Sequence, residues 1–156
     1  MTHPLPEAEF RAIYARVPRL TVEVVLRDAR GVFLTRRSSS PCKGLWHIPG
    51  GTVRFAEPLE EAVARVALAE TGVTVTGATQ MGAIEYPSHY LNGLDHPVGV
   101  AFGAEWEGEP RALDGACAAA WFGIPPADMH DEQAAFLRDD PAALAAFRAG
   151  ATGFGS

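Results

Sequence analysis

Residues 50–73, GGTVRFAEPLEEAVARVALAETGV, constrain this chain more than any other stretch. They read as a glycine turn, a short extended piece, a helix and a glycine stop. Pro58 suits the first helical turn, where its missing N–H would have no partner anyway. Glu57, Glu60 and Glu61 crowd the N-terminus, where the helix dipole favours negative charge. Leu59, Ala62, Val63, Val66 and Ala69 recur at helical spacing and predict a buried side. Gly72 is placed to end the helix in a left-handed conformation. Glu70 departs from this pattern: it is a carboxylate in the last turn, where the dipole opposes it. If partly buried, it needs a cation beside it, either an arginine or a metal ion.

This stretch resembles the signature of the Nudix hydrolases: Gly, five residues, Glu, seven residues, then Arg-Glu-U-x-Glu-Glu-x-Gly-U, with U a bulky aliphatic. Gly51, Glu57, Arg65, Glu70, Gly72 and Val73 fall at the matching positions. The run Gly44-Leu45-Trp46-His47-Ile48-Pro49-Gly50-Gly51 is similar to the family's approach, Gly-x-Trp-x-x-Pro-Gly-Gly. Two positions depart. The glutamate after the box arginine is Val66, and the first of the paired glutamates is Ala69. In ordinary members those carboxylates join the one at Glu70 in coordinating Mg²⁺, a hard ion that takes oxygen ligands. Their loss leaves room for a single, weakly held ion, Mg²⁺ or Mn²⁺ in its place.

The reduced box resembles that of the GDP-mannose mannosyl hydrolase branch, and the likeness covers roughly residues 5 to 124. It implies that a glycine carbonyl and a box glutamate, Gly50 and Glu70, hold the metal. It implies roles for Arg37 and Arg65 in catalysis, with Arg37 also clamping phosphate, and for Glu23 at the nucleotide base. Gly51, Glu57 and Gly72 take structural roles, with Arg65 paired to Glu57. That branch has an arginine directly after Gly-Gly, where this chain has Thr52. Its Gln-His pair, which supplies a metal ligand and the general base, falls at Gly115 and Ala116. Asp114 is the nearest carboxylate that can substitute as a metal ligand. His89 and His96 are the replacement candidates for the base, because histidine titrates near neutrality; His89 is the one assigned a catalytic role. Tyr90, with Tyr86, is placed to stack on a base.

Composition bounds the rest. The 156 residues suffice for one domain with a buried core, and 47% hydrophobic with 21% charged residues is globular. A formal charge of −6 argues against nonspecific binding to nucleic acid or anionic membrane. An acidic chain that handles phosphate must keep its cations local, and Arg36, Arg37, Arg54 and Arg65 lie near the box. Cys42 and Cys117 match no disulfide framework or zinc spacing, and read as reduced thiols of a cytoplasmic protein. No signal peptide or run of ~18 apolar residues is expected.

The remaining elements follow from periodicity. Residues 7–17 predict an amphipathic helix, with a homodimer contact as one reading and packing on its own domain as the other. Residues 20–27 and 32–36 predict a hairpin across the Asp28-Ala29-Arg30-Gly31 turn. Strands are expected at 46–48, within 73–86, at 97–106 and at 118–124, and residues 87–96 read as a pocket-shaping loop. Helices are expected at 131–138 and 141–149, with fraying from Gly150. These elements fit an α/β class, a Nudix-like α/β/α sandwich around a mixed sheet, spanning residues 1–156 as one domain. The resemblance implies a hydrolase that acts with a divalent metal on a nucleoside diphosphate linked to another moiety, a nucleotide sugar among the candidates. The rival is a catalytically impaired module of the same fold that binds a nucleotide-like ligand without hydrolysing it.

Overall fold

The stretch Thr21 to Leu26 is buried at every position, so the strand carrying it must be covered on both faces. A computed structural model describes residues 3–39, 42–113 and 115–139. Its elements, in chain order, are α1 (Glu7–Tyr14), β1 (Arg19–Asp28), β2 (Gly31–Arg37), β3 (Trp46–His47), β4 (Gly50–Thr52), α2 (Leu59–Thr71), β5 (Thr74–Glu85), α3 (Pro87–Tyr90), β6 (Pro97–Glu107), β7 (Ala116–Phe122) and α4 (Asp131–Asp139).

β1 is central. One edge runs parallel to β6, from Arg19 opposite Pro97 to Leu26 opposite Ala104. Its other edge is shared: Thr21 to Glu23 pair with β4, and Arg27 and Asp28 turn into β2. β5 extends the sheet antiparallel to β6, while β2 pairs with both β3 and β7. Alternation along β1 then divides the core. Val22, Val24 and Leu26 pack with Ala62, Val63, Val66 and Ala67 of α2. Val25 faces the other way, with Leu34, Ile48, Ile84, Ala134 and Leu137, under α4. Helices thus flank both faces of a mixed sheet, as an α/β/α sandwich requires.

Several local expectations change. Pro58 is the residue before the helix, in extended conformation, rather than within its first turn. Its carbonyl accepts from the Ala62 N–H, so the proline serves as a cap that needs no donor of its own. Ala67, not Ala69, completes the fully buried side. Residues 87–90 form a helical turn inside the expected loop, and 74–85 form one long strand with two register shifts. α1 buries no residue fully. Asp114, the helix expected at 141–149 and the tail lie outside the described residues.

Gly72 caps α2 at φ +76°, and its N–H donates to the Leu68 carbonyl. A Cβ there would meet Arg111 and Leu113 at 3.3 Å. Gly72→Ala is therefore expected to cost about 1 kcal/mol and lower the melting temperature by about 3 °C, read by thermal unfolding.

Candidate active site

The β3–β4 segment and the C-terminal turn of α2 meet beneath a cleft with two lobes. The outer lobe, about 360 Å³, is lined by Arg19, Arg37, Arg54, Arg65, His47 and Glu70, and is closed on one side by His3 and Phe10. The inner lobe, about 130 Å³, shares Arg19, Arg37, His47, Gly50 and Glu70 and adds Glu23, Cys42, Tyr86, His89 and His130.

Glu70 projects from the last turn of α2 toward the glycine turn, where Gly50 N donates to its Oε2 at 3.3 Å. Burial pushes its carboxyl up to about 7, against the pull of that N–H. Glu23 stands on the opposite side of Gly50, in register with it across β1 and β4. A Cβ at Gly50 would collide with Glu23 Oε2. Glycine is required here by close approach rather than by turn geometry. Glu23 is 5% exposed and accepts from Tyr86 Oη at 2.9 Å and Thr21 Oγ1 at 3.0 Å. Burial raises it too to about 7, and the nearby Glu70 adds to the rise. Gln133 fixes this network, donating to Tyr86 Oη at 3.0 Å and accepting from Ile48 N at 2.7 Å.

Two buried carboxyls, raised by desolvation, bracket one glycine turn. Such a donor set fits a single divalent ion with oxygen ligands. It does not fit a cluster of ions, because Val66 is sealed in the α2 core where the family has a glutamate.

Arg65 holds the cleft's rim. Its Nε donates to Glu57 Oε2 at 2.7 Å, and its Nη2 to Glu57 Oε1 at 2.8 Å and the Thr52 carbonyl at 3.0 Å. Glu57 Oε1 also accepts the Arg54 N–H. The Arg65 fork holds the Glu57 carboxyl down at about 2. Arg37, at the end of β2, lines both lobes.

Other expectations fall differently. Tyr90 is 44% exposed, stacks edge-on with His96, and is not among the residues lining either lobe. Tyr86, the other stacking candidate, is buried and committed to Glu23. His89 does line the inner lobe, with its Nε2 turned toward His130. Gly115 and Ala116 line the outer lobe and offer it no functional side chain.

Three contributors escaped the sequence. Arg19, the first residue of β1, donates from Nη1 to Thr52 Oγ1 at 2.8 Å and from Nε to Asp95 Oδ2 at 2.6 Å. It thereby brings a guanidinium to Thr52, a contact visible only once β1 and β4 are paired. His47 lines both lobes and is held down to about 4 by burial, hence neutral. His130 follows a Pro-Pro break with no motif to mark it.

Comparison with known proteins agrees with this fold. The NUDIX domain family model matches residues 17–143. The low-salt glycan biosynthesis protein Agl8 of Haloferax volcanii is 37% identical over 117 residues, spanning 72% of this chain and 75% of that protein. The ADP-ribose pyrophosphatase of Methanocaldococcus jannaschii is 30% identical over 108 residues, 69% of this chain and 63% of that protein. Among solved structures, the MutT NUDIX hydrolase from Burkholderia pseudomallei has a TM-score of 0.70 at 28% identity, covering 78% of this chain and 97% of that one. The fold and the cleft around the box define a Nudix hydrolase architecture. This chain belongs to the Nudix hydrolase family.

Proposed function

We propose that this protein hydrolyses a nucleoside diphosphate joined to a sugar, with the help of one divalent metal ion. The observation that carries this reading is the meeting of Glu70 and Gly50 in a cleft that also presents Arg19 and Arg37. Carboxylate and carbonyl oxygens suit Mg²⁺ or Mn²⁺, and arginines suit a diphosphate. Gly50 and Glu70 would hold the ion, which when bound neutralises diphosphate charge and polarises the leaving group. The relatives support the substrate class: one is named for ADP-ribose, a nucleoside diphosphate bonded to a sugar, and another for glycan biosynthesis.

The chain's own residues then divide the work. Arg37 and Arg19, which line both lobes, bind the diphosphate. Arg65 keeps Glu57 and the glycine turn in place. Glu23, with Tyr86 and Gln133, forms a rigid floor. No phosphate-binding role falls to the acidic surface, and nothing in the charge favours a nucleic acid partner. Among the described residues no helix is long and apolar enough to cross a membrane.

Binding without hydrolysis is the second reading, favoured by Val66 in the core and by the bare positions Gly115 and Ala116. A panel of nucleotide sugars, ADP-ribose, dinucleotides and nucleoside triphosphates, with Mg²⁺ or with chelator, separates the two. Hydrolysis is expected for the diphosphate-sugars and only with metal. In ¹⁸O-water, free sugar that carries the label marks attack at the sugar carbon, whereas label on the nucleoside diphosphate, or nucleoside monophosphate plus sugar phosphate as products, marks attack at phosphorus. Arg37→Ala is expected to lower kcat/KM by about 10²-fold, with Arg37→Lys recovering part of the loss. Ligand-induced melting shifts with no turnover of any class would leave the binding module.

A further inference from the structure

Three side chains that the proposed hydrolysis does not use meet in the lining of the inner lobe. Cys42 comes from the loop after β2, His89 from α3, and His130 from the residue ahead of α4. Their ligand atoms all lie within 4.8 Å of one another. His89 Nε2 is 3.2 Å from His130 Nε2, and Cys42 Sγ is 4.0 Å from His89 Nε2. A tetrahedral zinc ion places two imidazole nitrogens about 3.3 Å apart, and a sulfur about 3.6 Å from each. The nitrogens already stand at that spacing, and the sulfur lies within 4.8 Å of both.

The outer faces of both imidazoles are occupied by acids. Asp95 Oδ1 lies 3.5 Å from His89 Nδ1, and Glu132 Oε2 lies 3.3 Å from His130 Nδ1. Asp95 beside His89 Nδ1 favours the tautomer with the proton there, which leaves the His89 Nε2 lone pair free; His130 Nδ1 and Glu132 Oε2 make no hydrogen bond at their 3.3 Å approach. The two Nε2 atoms face each other across 3.2 Å, a spacing bridged either by a proton that one ring donates to the other or by a cation bound to both. The two acids are themselves held: Arg19 Nε donates to Asp95 Oδ2 at 2.6 Å, and Ser88 N donates to Glu132 Oε1 at 2.9 Å. The Tyr86 ring packs edge-on against both imidazoles, with centroids 5.6 and 5.3 Å away.

We propose that Cys42 Sγ, His89 Nε2 and His130 Nε2 bind one Zn²⁺ ion, with the fourth coordination position open to the inner lobe for water or a ligand oxygen. The donors differ in kind from those around Gly50. A thiolate and two imidazoles select a borderline-soft ion, whereas carboxylate and carbonyl oxygens select a hard one. The cleft therefore carries two ion sites of different preference. His89 acts in this site as a metal ligand rather than as a proton acceptor.

Cobalt(II) is the probe, because it reports thiolate coordination by absorption. Protein stripped by chelator is titrated with Co²⁺ and then with Zn²⁺. One equivalent of Co²⁺ is expected to give tetrahedral visible bands and a sulfur-to-cobalt charge-transfer band, both displaced by Zn²⁺. Cys42→Ser should lose the charge-transfer band and bind at least ~10-fold more weakly. Cys117→Ser and Glu70→Gln should retain it. Retention in Glu70→Gln makes this outcome independent of the hydrolysis reading. In the Cys117→Ser protein, Zn²⁺ should also slow the reaction of Cys42 with a thiol reagent, a measurement that needs no histidine variant to fold. A missing charge-transfer band at stoichiometric Co²⁺, a band that survives Cys42→Ser, or a thiol reactivity indifferent to Zn²⁺ would overturn the proposal and leave a shared proton between the two imidazoles.

Discussion

Glu70→Gln is expected to reduce metal-dependent turnover at least ~100-fold, an increase of about 2.7 kcal/mol in the activation barrier. The substitution keeps the side chain's shape and its capacity to accept the Gly50 N–H. It removes the negative charge that a divalent ion needs. A structural role alone would lower stability, and here the opposite sign is expected. Burial raises Glu70 and Glu23 to about 7 from an ordinary 4.5. A folded state that binds protons more tightly than the unfolded one loses stability as pH rises. The metal-free protein should therefore lose stability between about pH 4.5 and 7 and hold level above. Glu70→Gln should melt higher than the parent at pH 8 in chelator, and the gain should shrink toward pH 5. Turnover within a few-fold of the parent would remove Glu70 from the reaction; a lower melting temperature at pH 8 would remove the buried charge from the account.

Arg65→Ala should carry the largest stability loss among single changes at the cleft. It deletes both guanidinium hydrogen bonds to Glu57 and the one to the Thr52 carbonyl. The Arg65 and Glu57 side chains are only 19% and 12% exposed, so water compensates poorly. Breaking a partly buried, forked ion pair of this kind costs about 3 kcal/mol, a fall of about 8 °C in melting temperature. Arg65→Lys should recover only part, because an ammonium cannot make the fork. The pH dependence has the sign opposite to that of Glu70. Glu57 is held at about 2, below an ordinary 4.5. Its contribution is present above about pH 4.5 and is lost as pH falls toward 2, so the parent should show an acid limb of unfolding that Arg65→Ala flattens. Equal acid limbs in the two proteins would refute the pairing as the source.

The two acids of the cleft show how differently these assignments could be read from the chain. Glu57 and Arg65 lie eight residues apart across a turn and a helix start, and the resemblance to the family motif already implied their pairing. Glu23 and Gly50 meet only because β1 pairs with β4, and no periodicity over residues 20–27 marks that glutamate as sharing a wall with Glu70. Arg19 is similar: as the first residue of a strand it looks like an ordinary edge charge, until β4 brings Thr52 beneath it. Tyr90 errs in the other direction, since a helical turn at Pro87–Tyr90 points it at His96 and away from the cleft.

Local physics was therefore enough for the helix that carries Glu70, its glycine stop and the β1–β2 hairpin, because each depends on residues a few positions apart; the Arg65–Glu57 clasp came from the motif resemblance. That β1 is buried on both faces was decided by the tertiary structure, since residues 20–27 alternate apolar and polar only in part. The tertiary structure decided which distant groups share the cleft. Cys42, His89 and His130 are separated by 47 and 41 residues, and are joined by the sheet and the two helical segments that pack on it. Their meeting depends on chain topology, and a side chain carries no local signature of the neighbour that topology will bring to it.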